Sequence, residues 1–388
     1  MKKSVNMKIS NYIQITKPRY VYLKLTPDTS IRNYNSTNIA KSVSHMYKSI
    51  TRRIKKEKSK LFIESSVKCS YMIDIYKDKV NFYFIIPIQY LSVIKEKIQE
   101  TWKHIKIEEI ESINPFTEDV LKYQLTYKKE DALSLDINKS SNEPLNSILN
   151  VIDIMKDEDR IGIFYNFMPV SQFGWKKEYQ DTMYKVKNNM PIDREKMKFS
   201  YILKIVLTFI CDTIQMIADT ITDFLGIENN NSVKNLNFLE IATSLLNNNK
   251  ALSKNTVKKK GLEVLNTQLL ILSQSADYTR KQNNALAVCQ SYKSIEGDNE
   301  LVYKKLSKKH VFHVEDFKIA GVEQNKLSIE ECHNFLQLPG RELLDQHKCI
   351  SKIDVLETEV PYNLQKGVIR VGISTFKIGR ASCRERVS

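Results

Sequence analysis

The chain has 388 residues and is 42% hydrophobic, long enough for two or three domains and apolar enough to bury real cores, which excludes global disorder. Its 60 Lys and Arg against 45 Asp and Glu leave a net charge of +15. That balance points either to an anionic partner or to a coding bias towards Lys, Asn and Ile. The six cysteines are scattered without a CxxC pair, which excludes a disulfide framework and fits reduced thiols. The N-terminal residues lack the apolar core of a signal peptide. No uncharged apolar run reaches the ~18 residues that a spanning helix needs.

Residues 20–25 predict a strand. Ile39, Val43, Met46, Tyr47, Ile50 and Ile54 recur at helical spacing and predict one helix ending in ITRRIKKEKSK. The charges there suit a helix C-terminus, and Arg52 and Arg53 are candidates to contact an anion. Residues 61–76 and 80–86 are β-rich, joined by a turn over 76–80; Val80, Phe82, Phe84 and Ile86 alternate. Leu91, Ile94, Ile98 and Trp102 mark a second helix, and Ile105 and Ile107 a short last strand. The order β-α-β-β-α-β over residues 1–116 is that of a ferredoxin-like split β-α-β subdomain, so the expected class is α+β.

In residues 117–227, Leu121, Tyr123, Leu125 and Tyr127 form one face of a strand. Pro144 is placed to begin a helix with the apolar stripe Leu145, Ile148, Leu149, Ile152 and Met155. Residues 161–167 return as a strand, completing a β-α-β unit, and 171–187 form a further helix. Residues 200–225 predict the longest helix, amphipathic with an acidic polar face, which suits a core helix better than an interfacial one. The Asn-rich residues 228–237 are the best candidate boundary. Beyond them, 228–320 read as a second α+β half: helices at 236–247 and 253–260, a buried strand within 262–273, a helix over 276–295 and a strand over 299–306. This order repeats the β-α-β theme without a repeat in sequence. Within the connector 321–377, Ser328 and Glu331 have capping-box spacing and predict a helix ending at Leu338 and Pro339.

No complete catalytic constellation is legible. Residues 367–375 have the glycine spacing of a phosphate loop, but Ile373 stands where Lys is required, and the alternation reads as a strand. Cys332, His333, His347 and Cys349 match no zinc spacing. Asp212, Asp219 and Asp223 read as a solvated helix face. Candidate interface residues are Asn142, Glu143, Asn146, Gln172 and Trp175. The Asn-Glu-Pro-Leu-Asn stretch equally suits a helix cap, and Trp175 equally suits a core. Lys258, Lys259 and Lys260 join Arg52 and Arg53 as candidate anion contacts, although neither they nor the cluster around Lys304 and Lys305 has interleaved aromatics in sequence.

The run LSIEECHNFLQLP over 327–339, then Thr358-Glu-Val-Pro361 and Gly367-Val-Ile-Arg-Val-Gly372, resembles the approach to the motor in TraG-like and HerA/FtsK-like P-loop ATPases of conjugative transfer and type IV secretion. The β-rich beginning, the strand near Asp298–Tyr303, and the stretches 142–146 and 171–175 are similar to the N-terminal module found in Gram-positive mobile elements. The resemblance implies a non-catalytic docking and assembly module of a DNA-transfer ATPase. Its phosphate loop would follow, so ATP and magnesium belong to the longer parent and no cofactor to this stretch. It implies a cytoplasmic location at the inner face of the cell membrane. The implied partners are other subunits in a hexamer, membrane channel proteins and DNA. Residues 378–388, IGRASCRERVS, resemble a translated sequencing adapter and are expected to be foreign to the natural protein. The alternatives from other classes are a stand-alone nucleic-acid-binding protein of a phage or plasmid, and a peripheral membrane adaptor using residues 200–225.

Overall fold

The structure is a computed structural model that describes residues 18–47, 51–56, 59–64, 67–137, 142–188, 190–194, 252–307, 322–353, 369–374 and 379–383. Residues 51–56, 59–64, 369–374 and 379–383 are described as backbone only. The chain forms two compact units, Met1–Ser351 and Lys352–Ser388. The larger unit is α+β, built on a nine-stranded sheet in which every strand pairing is antiparallel.

Its first half runs β1 (Tyr20–Thr26), α1 (Thr37–His45), the hairpin β2 (Thr51–Lys56) and β3 (Ser59–Glu64), β4 (Cys69–Tyr76), β5 (Val80–Pro87), α2 (Leu91–Thr101) and β6 (Lys106–Ile110). In the main sheet these strands lie in the order β6-β1-β5-β4. That is the split β-α-β arrangement expected from sequence: β1 and β4 run parallel with β5 between them. Val80, Phe82, Phe84 and Ile86 share the face covered by Ile39, Ala40 and Val43 of α1 and Ile94 and Ile98 of α2.

One expected element is corrected here. The helix does not run on to Lys60 but stops at His45, and Arg52 and Arg53 lie on β2. Ile50 and Ile54 are four residues apart, a spacing that fits a helical turn and also two strand periods. The antiparallel partner decides between them: Ile54 is in register with Leu61, Arg53 with Phe62 and Arg52 with Ile63.

The second half runs β7 (Leu121–Tyr127), α3 (Leu145–Leu149), β8 (Arg160–Pro169), α4 (Trp175–Lys187), α5 (Lys254–Lys259), β9 (Val264–Gln274), α6 (Tyr278–Ser291) and β10 (Leu301–Lys305). Its order, β10-β7-β9-β8, repeats that of the first half. The expected β-α-β unit of β7, α3 and β8 is therefore split as well, with β9 inserted between its strands. The predicted 200–225 helix lies outside the described residues, as does the Asn-rich stretch 228–237. Strands from before and after that stretch are hydrogen-bonded neighbours in the sheet.

The two halves join through β4 and β8, eight residues in register from Cys69↔Phe167 to Tyr76↔Arg160. At this seam Arg160 forks onto Asp74, with Nε 2.8 Å from Oδ1 and Nη2 3.1 Å from Oδ2. It also donates to the carbonyls of Asn114 and Pro115. Its guanidinium lies 3.9 Å from the centre of the Phe116 ring. Gly162 leaves the space that this ring occupies, since a Cβ there would collide with it. The Asp74 carboxyl is raised from its ordinary range because burial outweighs the neighbouring Arg160.

In the smaller unit, β12 (Ile369–Ser374) and β13 (Gly379–Cys383) form an antiparallel hairpin with a register shift between Arg370 and Gly372. Among the described residues, no helix is long and apolar enough to cross a membrane.

Candidate functional site

Residues 325–338 form a strap across the helix-covered side of the sheet, tying the second half to the first. The strap begins as β11 (Asn325–Ser328), which pairs with Val264–Thr267 of β9. The predicted capping box is present: Ser328 N–H donates to Glu331 Oε2 at 2.7 Å, and Glu331 N–H donates to Ser328 Oγ at 3.2 Å. The helix it was expected to open is only a 3-10 turn, Glu331–Asn334. The reason is that every residue from 331 to 340 is buried, and its polar side chains serve other segments rather than a solvent face. Asn334 donates to the Asp136 carbonyl at 2.8 Å, and Gln337 to that of Glu143 at 3.1 Å.

Glu331 is the hub. Its Oε1 accepts from Tyr127 Oη at 2.7 Å and Leu135 N–H at 2.9 Å, and its Oε2 lies 2.8 Å from Lys259 Nζ. Lys259 and Glu331 are both 0% exposed. The ammonium also faces the rings of Tyr127 and Trp175, 4.9 and 5.9 Å away. Burial, and then Glu331, push the Tyr127 hydroxyl well above its ordinary value. An ion pair without solvent persists only when its remaining donors and acceptors are satisfied, and here they are.

The strap then enters the first half. His333 Nδ1 meets Ser36 Oγ at 2.6 Å, and the Gln337 carbonyl accepts from Tyr71 Oη at 2.6 Å. Asn33 holds both backbone groups of Leu338, accepting its N–H and donating to its carbonyl, each at 3.1 Å. Trp102 Nε1 donates to the same Asn33 Oδ1 at 2.9 Å. α7 (Arg341–Gln346) follows.

Reactive residue types occur in this strap, but they are sealed. Ser36 and His333 have the contact a nucleophile and base would need, yet both are fully buried and no substrate atom can reach them. The Cys332 thiol is pushed well up by burial, then by Glu331. Among the described residues, no group of three or more His, Cys, Asp or Glu could hold a metal ion. A surface cleft of about 280 Å³ lies beside α4, lined by Glu130, Asp131, Glu178, Thr182, Lys185 and Arg194 among others. Its two cations are both engaged, Lys185 with Glu130 and Arg194 at 3.7 Å from Asp131, and Glu178 pairs outside the cleft with Lys326.

The five candidate interface residues fall into three groups. Glu143 caps α3, accepting from Asn146 Nδ2 at 3.1 Å and Ser147 Oγ at 2.6 Å, while the Asn142 carbonyl accepts Asn146 N–H at 3.0 Å. Gln172 clamps the start of β9, exchanging two hydrogen bonds with the backbone of Val264 at 2.8 and 3.0 Å. Trp175 is a core residue: it is 3% exposed, and its Nε1 donates to the Lys259 carbonyl at 3.1 Å. Lys259 is corrected from a surface anion contact to the buried partner of Glu331, whereas Lys258 and Lys260 are exposed. The side chains of Arg52 and Arg53 lie outside the described residues. Two aromatics reach the strand of Lys305 from elsewhere in the fold, Tyr278 and Tyr123. Lys305 Nζ lies 2.8 Å from Tyr278 Oη, and Tyr303 packs edge-on against Tyr123.

Sequence reasoning missed Phe173, which is 98% exposed in the loop before α4. It also missed the demand Glu331 makes, although a carboxylate set in an apolar run such as LSIEECHNFLQLP implies a buried cation somewhere in the chain. No protein-family model matches this chain, and no curated protein matches it.

Proposed function

We propose that this chain is the non-catalytic docking and assembly module of a DNA-transfer ATPase of the TraG-like, HerA/FtsK-like kind. The observation that supports this reading most is the strap. The segment that resembles the approach to a motor, 327–339, is hydrogen-bonded to both halves of the sheet, through Lys259, Tyr127 and Leu135 on one side and Ser36, Tyr71 and Asn33 on the other. A displacement at its C-terminal end would be felt by both halves together, because interlocked cores move as units rather than deform continuously. Glu331 and His333 of the strap are spent on holding it in place, as a mechanical anchor requires.

In this reading the module assembles with other copies of itself and with channel proteins at the inner face of the membrane, while the parent's motor supplies ATP- and magnesium-dependent work. The test is the uninterrupted coding sequence beyond Lys377. A GxxxxGK[ST] loop within a few tens of codons is expected, with magnesium-dependent ATPase activity in the longer protein and none in this chain. A continuation without a phosphate loop, or ATP hydrolysis by this chain alone, would overturn the proposal.

A further inference from the structure

We infer that the loop carrying Phe173, with the lysines around it, is a docking surface for an anionic lipid bilayer. Phe173 stands 98% exposed on a frame that is pinned on both sides. Gln172 is bonded twice to Val264, and Trp175 is buried with its N–H on the Lys259 carbonyl. The ring is therefore held outward by anchored neighbours.

The same contacts set the end of α5 beside the start of α4, so that the exposed Lys258 and Lys260 belong to the segment joined to the one that carries Phe173 and the exposed Lys176 and Lys177. Among the described residues, none of these four makes an ion pair or a side-chain hydrogen bond. Of the carboxylates near them in sequence, Glu178 is paired with Lys326, Glu263 lies 3.4 Å from His45 Nε2, and Asp181 makes no ion pair among the described residues, so the four ammonium groups outnumber the free carboxylates beside them. Four exposed ammonium groups on the two segments that frame one protruding apolar ring match the boundary of a bilayer, where the ring enters the acyl region and the cations meet anionic headgroups. A single-strand nucleic-acid track is a poorer match, because it uses several rings on which successive bases stack, and this loop offers one. The assignment does not depend on the DNA-transfer reading, since it uses only exposed residues of this chain.

The test is flotation of the whole chain with phosphatidylcholine vesicles, with and without phosphatidylserine. Binding to the anionic vesicles only, weakened by added salt, is expected. Lys176→Gln with Lys177→Gln should lower the partition coefficient about twenty-fivefold, at about fivefold per lysine. Phe173→Ala should lower it about tenfold. Phe173→Trp should retain binding and show a blue-shifted emission on vesicles. Circular dichroism identical to the parent chain establishes that each variant is folded. Equal binding to neutral vesicles, binding indifferent to Phe173→Ala, or binding of a single-stranded oligonucleotide in place of vesicles would each overturn the inference.

Discussion

A buried ammonium and a buried carboxylate stabilise a fold only while both are present. Removing Lys259 leaves Glu331 with Tyr127 and two backbone donors but no cation; removing the carboxylate charge strands the ammonium between two rings. Lys259→Met and Glu331→Gln are each expected to cost about 3–5 kcal/mol, and the double variant much less than their sum. Urea denaturation of the four proteins measures this, and additive losses would show that the two groups act separately. Asp159 makes the corresponding argument in pH. Burial opposes its ionisation, but Ser275, the Lys156 N–H and Asn284, aided by Arg280, hold its carboxyl below the ordinary value. Its contribution is complete above the unfolded carboxylate's pKa of about 3.9 and is lost as pH falls through the lower folded value. Asp159→Asn should therefore flatten the acid limb of a plot of urea midpoint against pH.

At the scale of elements, the loop between β8 and α4 separates what holds the fold from what lies outside it. Gln172→Ala removes both bonds to the Val264 backbone and is expected to cost about 1–3 kcal/mol, whereas Phe173→Ser, one residue on, should stay within about 0.5 kcal/mol. Thermal melts of the two variants decide between this pattern and its reverse. The loop also marks what was legible in sequence. Strands and long helices were legible where the apolar residues keep a clear period, as in Val80–Pro87, which alternates although it is buried throughout, and in Tyr278–Ser291, whose buried residues follow the helical period. Legibility failed where a four-residue spacing served two periods, as at Ile54, and where burial on all sides removed the period, as in residues 331–340. It failed for the candidate site because, one at a time, Lys259 looks like a surface cation and Trp175 suits an interface and a core equally. Only the fold shows that the Trp175 N–H ends on the Lys259 carbonyl and the Lys259 ammonium on Glu331.

For the whole molecule, the decisive question is whether the two split β-α-β halves are one cooperative body. Their seam is an uninterrupted eight-residue pairing with the Arg160–Asp74 fork upon it. On the helix-covered side the strap crosses from Glu331 to Leu338, and α1 of the first half packs against β8 of the second. Halves joined by a linker alone would unfold independently; halves sharing a ladder, a buried ion pair and a strap should not. The chain carries its own reporters, because its two tryptophans fall one in each half: Trp102 beneath Asn33, and Trp175 against Tyr179. Trp102→Phe leaves a probe of the second half, and Trp175→Phe a probe of the first. Urea transitions followed by fluorescence, each compared with circular dichroism of the same variant, are expected to coincide within each protein. Arg160→Ala, made in both backgrounds, removes the cation from a buried carboxylate at the seam and should lower both transitions together, by about 3–5 kcal/mol. If it lowers only one, the seam is a contact between two independent bodies, and the strap could not pass a displacement to both.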